Sequence, residues 1–182
     1  AITVTGTNDE PTVTAQYNDY TEDDLQAGIV VSAANSNLLN GAADIDDATS
    51  VLQVGTVNGA SASVGSPVTL TLSYIDADNN PQTHDVDLTV NADGSYVLDA
   101  SDISALPNGI IATGSFDYQV IDDDGALSNQ VSGTIEIIGS NDYPVVTTTT
   151  NAFGENDLEV GISVSAADSN LLTAASDIDD VD

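Results

Sequence analysis

The 182-residue chain contains no lysine and no arginine, while 30 of its residues are Asp or Glu and one is His. Its formal charge is therefore −30 at neutral pH. No carboxylate can form a salt bridge with a Lys or Arg of the same chain. Nucleic acid is excluded as a partner, because binding to it depends on Lys and Arg meeting phosphates. The same lack of bases argues against attachment to an anionic membrane surface.

Cysteine is also absent, which excludes disulfide bonds and thiol chemistry. A bound metal is the usual alternative when a small domain needs stabilisation beyond its core. No apolar run approaches the roughly 18 residues of a membrane span, so we expect no direct membrane insertion. The first residues do not resemble a signal peptide.

The net charge of the chain predicts disorder, whereas its hydrophobic content predicts a folded core. Self-repulsion of this size opposes a compact state, and high net charge alone is typical of disorder. Yet 41% of the residues are hydrophobic, and they alternate with polar residues in several segments. The two observations are compatible if positive charge comes from outside the chain, as divalent cations, high salt or both.

A segment near the start of the chain recurs near its end at an offset of 133 residues. Residues 6–49 and 139–182 align without a gap and are identical at 25 of 44 positions. A fixed period is the signature of a tandem array. We therefore predict the end of one repeat at 1–5, a complete repeat at 6–138 and a truncated next repeat at 139–182. On this hypothesis the chain is a piece of a longer protein.

Period-two alternation of apolar and polar residues predicts an all-β fold. Short strands separated by turn sequences indicate an antiparallel β-sandwich, and residues 101–107 favour one helical turn capped by Ser101. The predicted strands are 12–16, 28–33, 51–57, 68–74, 86–90, 95–98, 116–120 and 129–138. The predicted core is Val13, Ile29, Val31, Leu38, Leu39, Ile45, Val54, Leu70, Leu72, Val86, Leu88, Tyr96, Leu98, Leu106, Phe116, Tyr118, Val120, Ile135 and Ile137.

Four motifs follow one another along the chain: GTNDEP at 6–11, NLL at 37–39 before an Asp-rich loop, NADGSYVLDASDISALPNG at 91–109 and FDYQVIDDDGALS at 116–128. Their order resembles the VCBS and bacterial cadherin-like repeats of giant RTX-type adhesins. The resemblance implies tandem Ig-like or cadherin-like sandwiches in an extracellular protein of the bacterial cell surface. It also implies export by type I secretion and calcium at the domain junctions.

Acidic loops at the ends of a sandwich suit calcium, which takes 6–8 oxygen ligands. Counting strands places the linker 8–9, the loop 44–47 and the hairpin 122–124 at one pole, and the loop 22–24 at the other. There it would face the next domain, as in the junctions of cadherins, so that Ca²⁺ bridges neighbouring repeats. The predicted ligands are Asn8, Asp9, Glu22, Asp24, Asp44, Asp46, Asp47, Asp99, Asp102, Asp122, Asp124, Asn141, Asp142, Glu155, Asp177, Asp179 and Asp180. The alternative for each is a solvated acidic turn or an Asx turn.

Two other motifs have ordinary explanations. Residues 76–80 begin like an EF-hand loop, but Pro81 stands where that loop needs Gly, so a hairpin turn is the better interpretation. His84 has no second His or any Cys with which to form a transition-metal site. Because no convergent catalytic set is visible, we expect a non-enzymatic protein.

The leading functional hypothesis is a calcium-rigidified extender that projects a distal binding region for cell adhesion or biofilm formation. One alternative is an Ig-like module that itself binds a sugar or a surface. Another is a self-assembling extracellular fibre, in which 139–182 pairs with a neighbouring molecule.

Overall fold

The computed structural model describes residues 1–26, 30–31, 37–76, 78–100, 103, 106–148, 150, 154–159, 172 and 174–177. The strands are β1 (Gln16–Thr21), β2 (Val30–Val31), β3 (Gln53–Val57), β4 (Pro67–Ile75), β5 (Pro81–Val90), β6 (Tyr96–Asp99), β7 (Ile111–Ile121), β8 (Val131–Ile138), β9 (Val145–Val146) and β10 (Ala175–Ser176). The helices are α1 (Glu22–Gln26) and α2 (Glu155–Glu159), with one 3-10 turn at Ser61–Ser63. Neither helix is long and apolar enough to cross a membrane, within the part of the chain described.

Eight of the strands form one sheet built around the long strand β7, in the order β1-β8-β7-β4-β5-β6-β2 with β3 also paired to β7. One edge of β7 pairs with β8. The other edge meets β4 at Thr113 and β3 from Tyr118 to Ile121. Because β3 and β4 share that edge, the sheet divides there and curls around its apolar face. The prediction of an all-β, sandwich-like fold is confirmed.

The prediction that the strands are antiparallel is wrong for β1, which lies parallel to β8, with Gln16 opposite Gly133 and Thr21 opposite Ile138, so the sheet is mixed. The strand predicted at 12–16 is displaced, since β1 begins at Gln16 and residue 12 forms only an isolated bridge with Ala43. The pairing partner of β1 is more than 100 residues away, so local alternation could not locate this register.

The strands predicted from the clearest alternation are correct and longer than expected. The segments 68–74 and 86–90 become β4 and β5, which pair without interruption from Pro67–Thr89 to Ile75–Pro81. Their turn is tight: the Asn80 amide donates to Asp76 Oδ1 at 2.8 Å, and Asn79 has a φ of 65°. The EF-hand-like sequence is therefore a hairpin turn, as predicted.

The other predicted elements match less completely. Strands expected at 51–57, 95–98, 116–120 and 129–138 correspond to β3, β6, part of β7 and β8, while only the β2 part of 28–33 is described. The helical turn expected at 101–107 lies partly outside the described residues. Its described bonds run from the Ile103 amide to Ala100 O and from the Leu106 amide to Ile103 O.

The predicted core is largely confirmed, and Leu72, Leu88, Val120 and Ile137 are fully buried. Ile45 is wrong, because it is 82% exposed in an acidic turn that directs it to solvent. Leu39 is only partly buried. Ile29 and the side chain of Val31 lie outside what the structure describes.

Tyr118 ties the segment before β1 to the rest of the domain. Its buried hydroxyl lies 3.1 Å from the carbonyl oxygen of Thr14 and 3.0 Å from that of Leu38. Burial raises the pKa of Tyr118 to about 12. The hydroxyl therefore stays protonated as a donor at any physiological pH.

The period of 133 also relates local elements of the structure. Helix α2 starts 133 residues after α1. Val145 of β9 pairs with Ser176 of β10, as Thr12 pairs with Ala43. The division into repeats at 1–5, 6–138 and 139–182 stays a prediction.

Gly133 of β8 offers a test of the core, because it lies directly opposite Phe116 of β7. A Cβ at Gly133 would come 2.6 Å from Phe116 Cζ, whereas one at Gly6 would meet nothing within 4 Å. We expect Gly133→Ala to lower the free energy of unfolding by about 1–3 kcal/mol through overpacking. Gly6→Ala, the matched control, should change it by less than about 0.5 kcal/mol. Urea unfolding measures both; equal effects would contradict the packing described here.

Candidate metal centre at the linker pole

Two acidic turns lie side by side at the pole where the chain enters the domain. In the first, Asp44 Oδ1 accepts the amides of Asp46 at 2.7 Å and Asp47 at 3.1 Å, which is an Asx turn. The second follows β7, where Asp122 Oδ1 accepts the Ala126 amide at 2.7 Å. Each turn thus uses one carboxylate oxygen to fix its own backbone.

These turns bring three carboxylates together. One oxygen each from Asp44, Asp47 and Asp122 lie within 4.8 Å of one another. Asp122 is buried, and the other two are half-buried. Asp44 Oδ2 and Asp47 Oδ2 are inaccessible to solvent and accept no hydrogen bond from the described residues. Buried carboxylate oxygens without donors are unfavourable unless a cation is present. The acidic triad Asp44, Asp47 and Asp122 can therefore hold a metal ion.

The N-terminal linker joins the same pole. Asn8 Nδ2 donates to Asp122 Oδ2 at 2.8 Å, and the Asp9 amide donates to Asp46 Oδ2 at 2.9 Å. The predicted convergence of linker, loop 44–47 and last hairpin is therefore present in the structure. Because the linker contacts both turns, its conformation depends on how they are spaced.

The pKa values of two carboxyl groups in the cluster, those of Asp47 and Asp122, are shifted from their ordinary value. Burial raises the pKa of Asp47 to about 6, helped by a carboxyl–carboxyl contact with Asp123 and the nearby charges of Asp44 and Asp122. The amide of Asn8, followed by backbone amides, lowers the pKa of Asp122. Asp47 therefore holds its proton to a higher pH than an ordinary Asp does, and a bound cation would lower its pKa again.

The predicted ligand Glu22 lies at the other linker, where the chain leaves the domain. It opens α1 and is fully buried, and its Oε2 accepts the Ser140 amide at 3.3 Å. The preceding Gly139 fits closely, since a Cβ there would come 2.2 Å from the carbonyl oxygen of Pro107. Residues 139–140 are therefore held by the domain they leave.

The remaining predicted ligands do not join the triad. Asp24 caps α1, because its Oδ2 accepts both the amide and the hydroxyl of Thr21, and these bonds lower its pKa. Asn141 Nδ2 donates to the backbone carbonyl of Asp142, which is half-buried. Asp99, Asp124 and Glu155 are exposed, and Asp177 is half-buried. Asp102, Asp179 and Asp180 lie outside the described residues.

Two residues near the triad lie outside the set of predicted ligands. Asp123, rather than Asp124, is the hairpin residue that approaches Asp47. Asn129 binds the backbone of Val13 close to the pole. A run of three Asp signals the hairpin but not which of them turns inward, and nothing in the sequence marks Asn129.

No protein-family model matches this chain, and the search of curated proteins finds no match either. The resemblance to VCBS and cadherin-like repeats stays a prediction that rests on the motifs themselves.

The raised pKa of Asp47 predicts a specific pH dependence in chelator. A raised pKa contributes stability that is present below the ordinary value of 3.8 and is lost as the pH rises through about 6. We expect the free energy of unfolding in chelator to fall between pH 4 and 7, and Asp47→Asn to reduce that fall. Carboxyl ¹³C NMR should show Asp47 titrating near pH 6 in chelator and at lower pH with a divalent cation. Titration near pH 4 in chelator would contradict the clustering of charges.

Proposed function

We propose that this chain is a calcium-stiffened extender of an extracellular bacterial surface adhesin, in which ions at the domain poles turn hinges into fixed joints. The observation that carries the proposal is the acidic triad. Three carboxylates converge in a chain that has no Lys or Arg to neutralise them.

The donors at the triad suit calcium, a hard cation that takes 6–8 oxygen ligands from carboxylates, carbonyls, side-chain amides and waters. The three carboxylate oxygens lie within 4.8 Å of one another, so they can bind a single ion. Extracellular modules commonly bind calcium at about 10⁻⁴–10⁻³ M, which suits a protein outside the cell.

If the 133-residue period marks successive domains, the hydrogen bonds of the two linkers would leave no free residue between them. Ser140 is bound by Glu22 of the domain it leaves. The next residue, Asn141, is equivalent by the 133-residue period to Asn8, which binds the entry pole of its own domain through Asp122. Consecutive Cα atoms are 3.8 Å apart. The end of one domain that carries Glu22 (its exit pole) and the end of the next domain that corresponds to the acidic triad (its entry pole) would therefore meet at a single peptide bond. An ion bound there would neutralise the carboxylates of both ends.

The biological setting is proposed from the resemblance to RTX adhesin repeats. Low calcium inside the cell would leave the chain expanded by its own charge during type I secretion. Calcium outside would then fold it and stiffen its junctions. The partners of each repeat would be its neighbours in the same chain, and a distal region would bind the surface or receptor.

The open cleft of the domain gives no support to the alternative of a sugar-binding module. Sugar sites commonly use an exposed aromatic platform. The open cleft between the loops 37–40, 49–53 and 92–93 is lined by amide, hydroxyl, carboxylate and small aliphatic groups, with no aromatic ring among its described lining residues.

Melting the chain in calcium and in chelator, at matched ionic strength, tests the proposal. Calcium at 100 times its dissociation constant should add about 2.7 kcal/mol per site to the free energy of unfolding. Asp47→Asn should be at least as stable as wild type in chelator, because it removes repulsion, yet gain less from calcium. Asp87→Asn, which removes a charge from an exposed residue of β5, is the matched control and should keep the full gain. Equal melting with and without calcium would exclude the extender mechanism.

The exit pole gives a separate prediction. Since the Ser140 amide donates to the buried carboxylate of Glu22, we expect its hydrogen exchange to be slow. Glu22→Gln should speed this exchange severalfold, because a neutral amide oxygen is a weaker acceptor than a carboxylate. Asp23→Gln, at the exposed neighbour in α1, should leave it unchanged. Exchange of Ser140 as fast as in an unfolded peptide would show that the linker is not held.

A further inference from the structure

Asn129 holds the backbone of the entry segment with both ends of its side-chain amide. Its Oδ1 accepts the Val13 amide at 3.2 Å, and its Nδ2 donates to the Val13 carbonyl at 3.1 Å. A single side chain thus satisfies a donor and an acceptor as a neighbouring strand would. Val13 is buried, so losing these bonds would leave its backbone polar groups without partners.

The residue before Val13 makes the matching connection to the other turn of the metal centre. The Thr12 amide donates to the Ala43 carbonyl at 2.7 Å, and the Ala43 amide donates to the Thr12 carbonyl at 2.9 Å. Ala43 immediately precedes Asp44, and Asn129 ends the hairpin that begins at Asp122. Residues 12–13 therefore connect the two turns that carry the triad.

We propose that Asn129 is a positioning residue of the metal centre, which fixes the separation of the two acidic turns through the backbone of residues 12–13 without touching the ion. The inference rests on the proposed function, because it assumes that the triad binds calcium. Mutual repulsion of the carboxylates drives the turns apart in the absence of a cation. A connection that resists this movement keeps the oxygens at ligand spacing before the ion arrives, which raises affinity.

The connection works in both directions. Asn8 and Asp9 lie a few residues before the connected segment and contact the same two turns. If the spacing of the turns controls the ion, the ion controls the spacing to the same extent, because coupling between sites is reciprocal. Calcium at the triad would therefore tighten residues 12–13 as well as the linker.

Site-resolved calcium titration of the 182-residue chain at pH 7.5 tests the inference, with the carboxyl ¹³C signals of Asp44 and Asp122 as readout. We expect Asn129→Ala to weaken calcium binding at these signals by about 10-fold to 100-fold, the range found for residues that orient metal ligands. Gln130→Ala is the matched control. It removes a neighbouring amide that donates to Asp117 Oδ2 at 2.7 Å, and should change the affinity less than twofold.

Two further measurements separate positioning from a general loss of stability. Calcium should slow hydrogen exchange of the Val13 amide in the wild type and in Gln130→Ala, but not in Asn129→Ala. Adding Asn129→Ala to Asp47→Asn should weaken binding at the triad by much less than it does in the wild type, because the site is already impaired. If Asn129→Ala does not fold in chelator, Asn129→Ser is measured against the same limits.

The outcomes distinguish the two proposals. If the wild-type triad takes up no calcium at millimolar concentration, both fail. If the wild type binds and Asn129→Ala binds within twofold of it, the proposed function stands and the role of Asn129 is overturned.

Discussion

The structure depends on where thirty carboxylates can be placed when the chain supplies no Lys or Arg to neutralise them. Some stand directly opposite each other in the sheet, as Asp87 does with Asp99 and Asp19 with Glu136. Like charges in such positions are destabilising. On an exposed face, water and salt screen this repulsion. At the entry pole, burial of the carboxylates reduces this screening. A cation bound there would relieve the repulsion between them.

The entry pole is preorganised by backbone amides. In Asp44 one oxygen closes its own turn while the other is left without a donor. In Asp122 the chain satisfies both oxygens, through the Ala126 amide and the side chain of Asn8. The triad therefore combines a carboxylate that already has donors with others that still need a positive partner. Such a set can hold a hard cation.

The two linkers relate this electrostatic site to the proposed stiffness of the chain. Residues 139–140 are bound by the domain that precedes them, through Glu22 and the turn at 107–110. Residues 8–9 are bound by the domain that follows them. The proposed role as an extender rests on this geometry and on the resemblance to adhesin repeats. In a tandem array, linkers held on both sides would transmit the state of each pole to its neighbour.

The sequence alone determined what depends on near neighbours or on the number of strands between two loops. Alternation in 68–74 and 86–90 predicted β4 and β5, Pro81 identified the 76–80 hairpin turn, and strand counting brought the linker to the two acidic turns. Only the tertiary structure decided the parallel pairing of β1 with β8, the exposure of Ile45, the choice of Asp123 over Asp124 and the role of Asn129. Apart from the exposure of Ile45, which its own acidic turn determines, each of these depends on contacts between residues far apart in the chain. The alternation of apolar and polar residues indicates which face of a strand a side chain lies on. It does not indicate which distant backbone group or charge that side chain will contact.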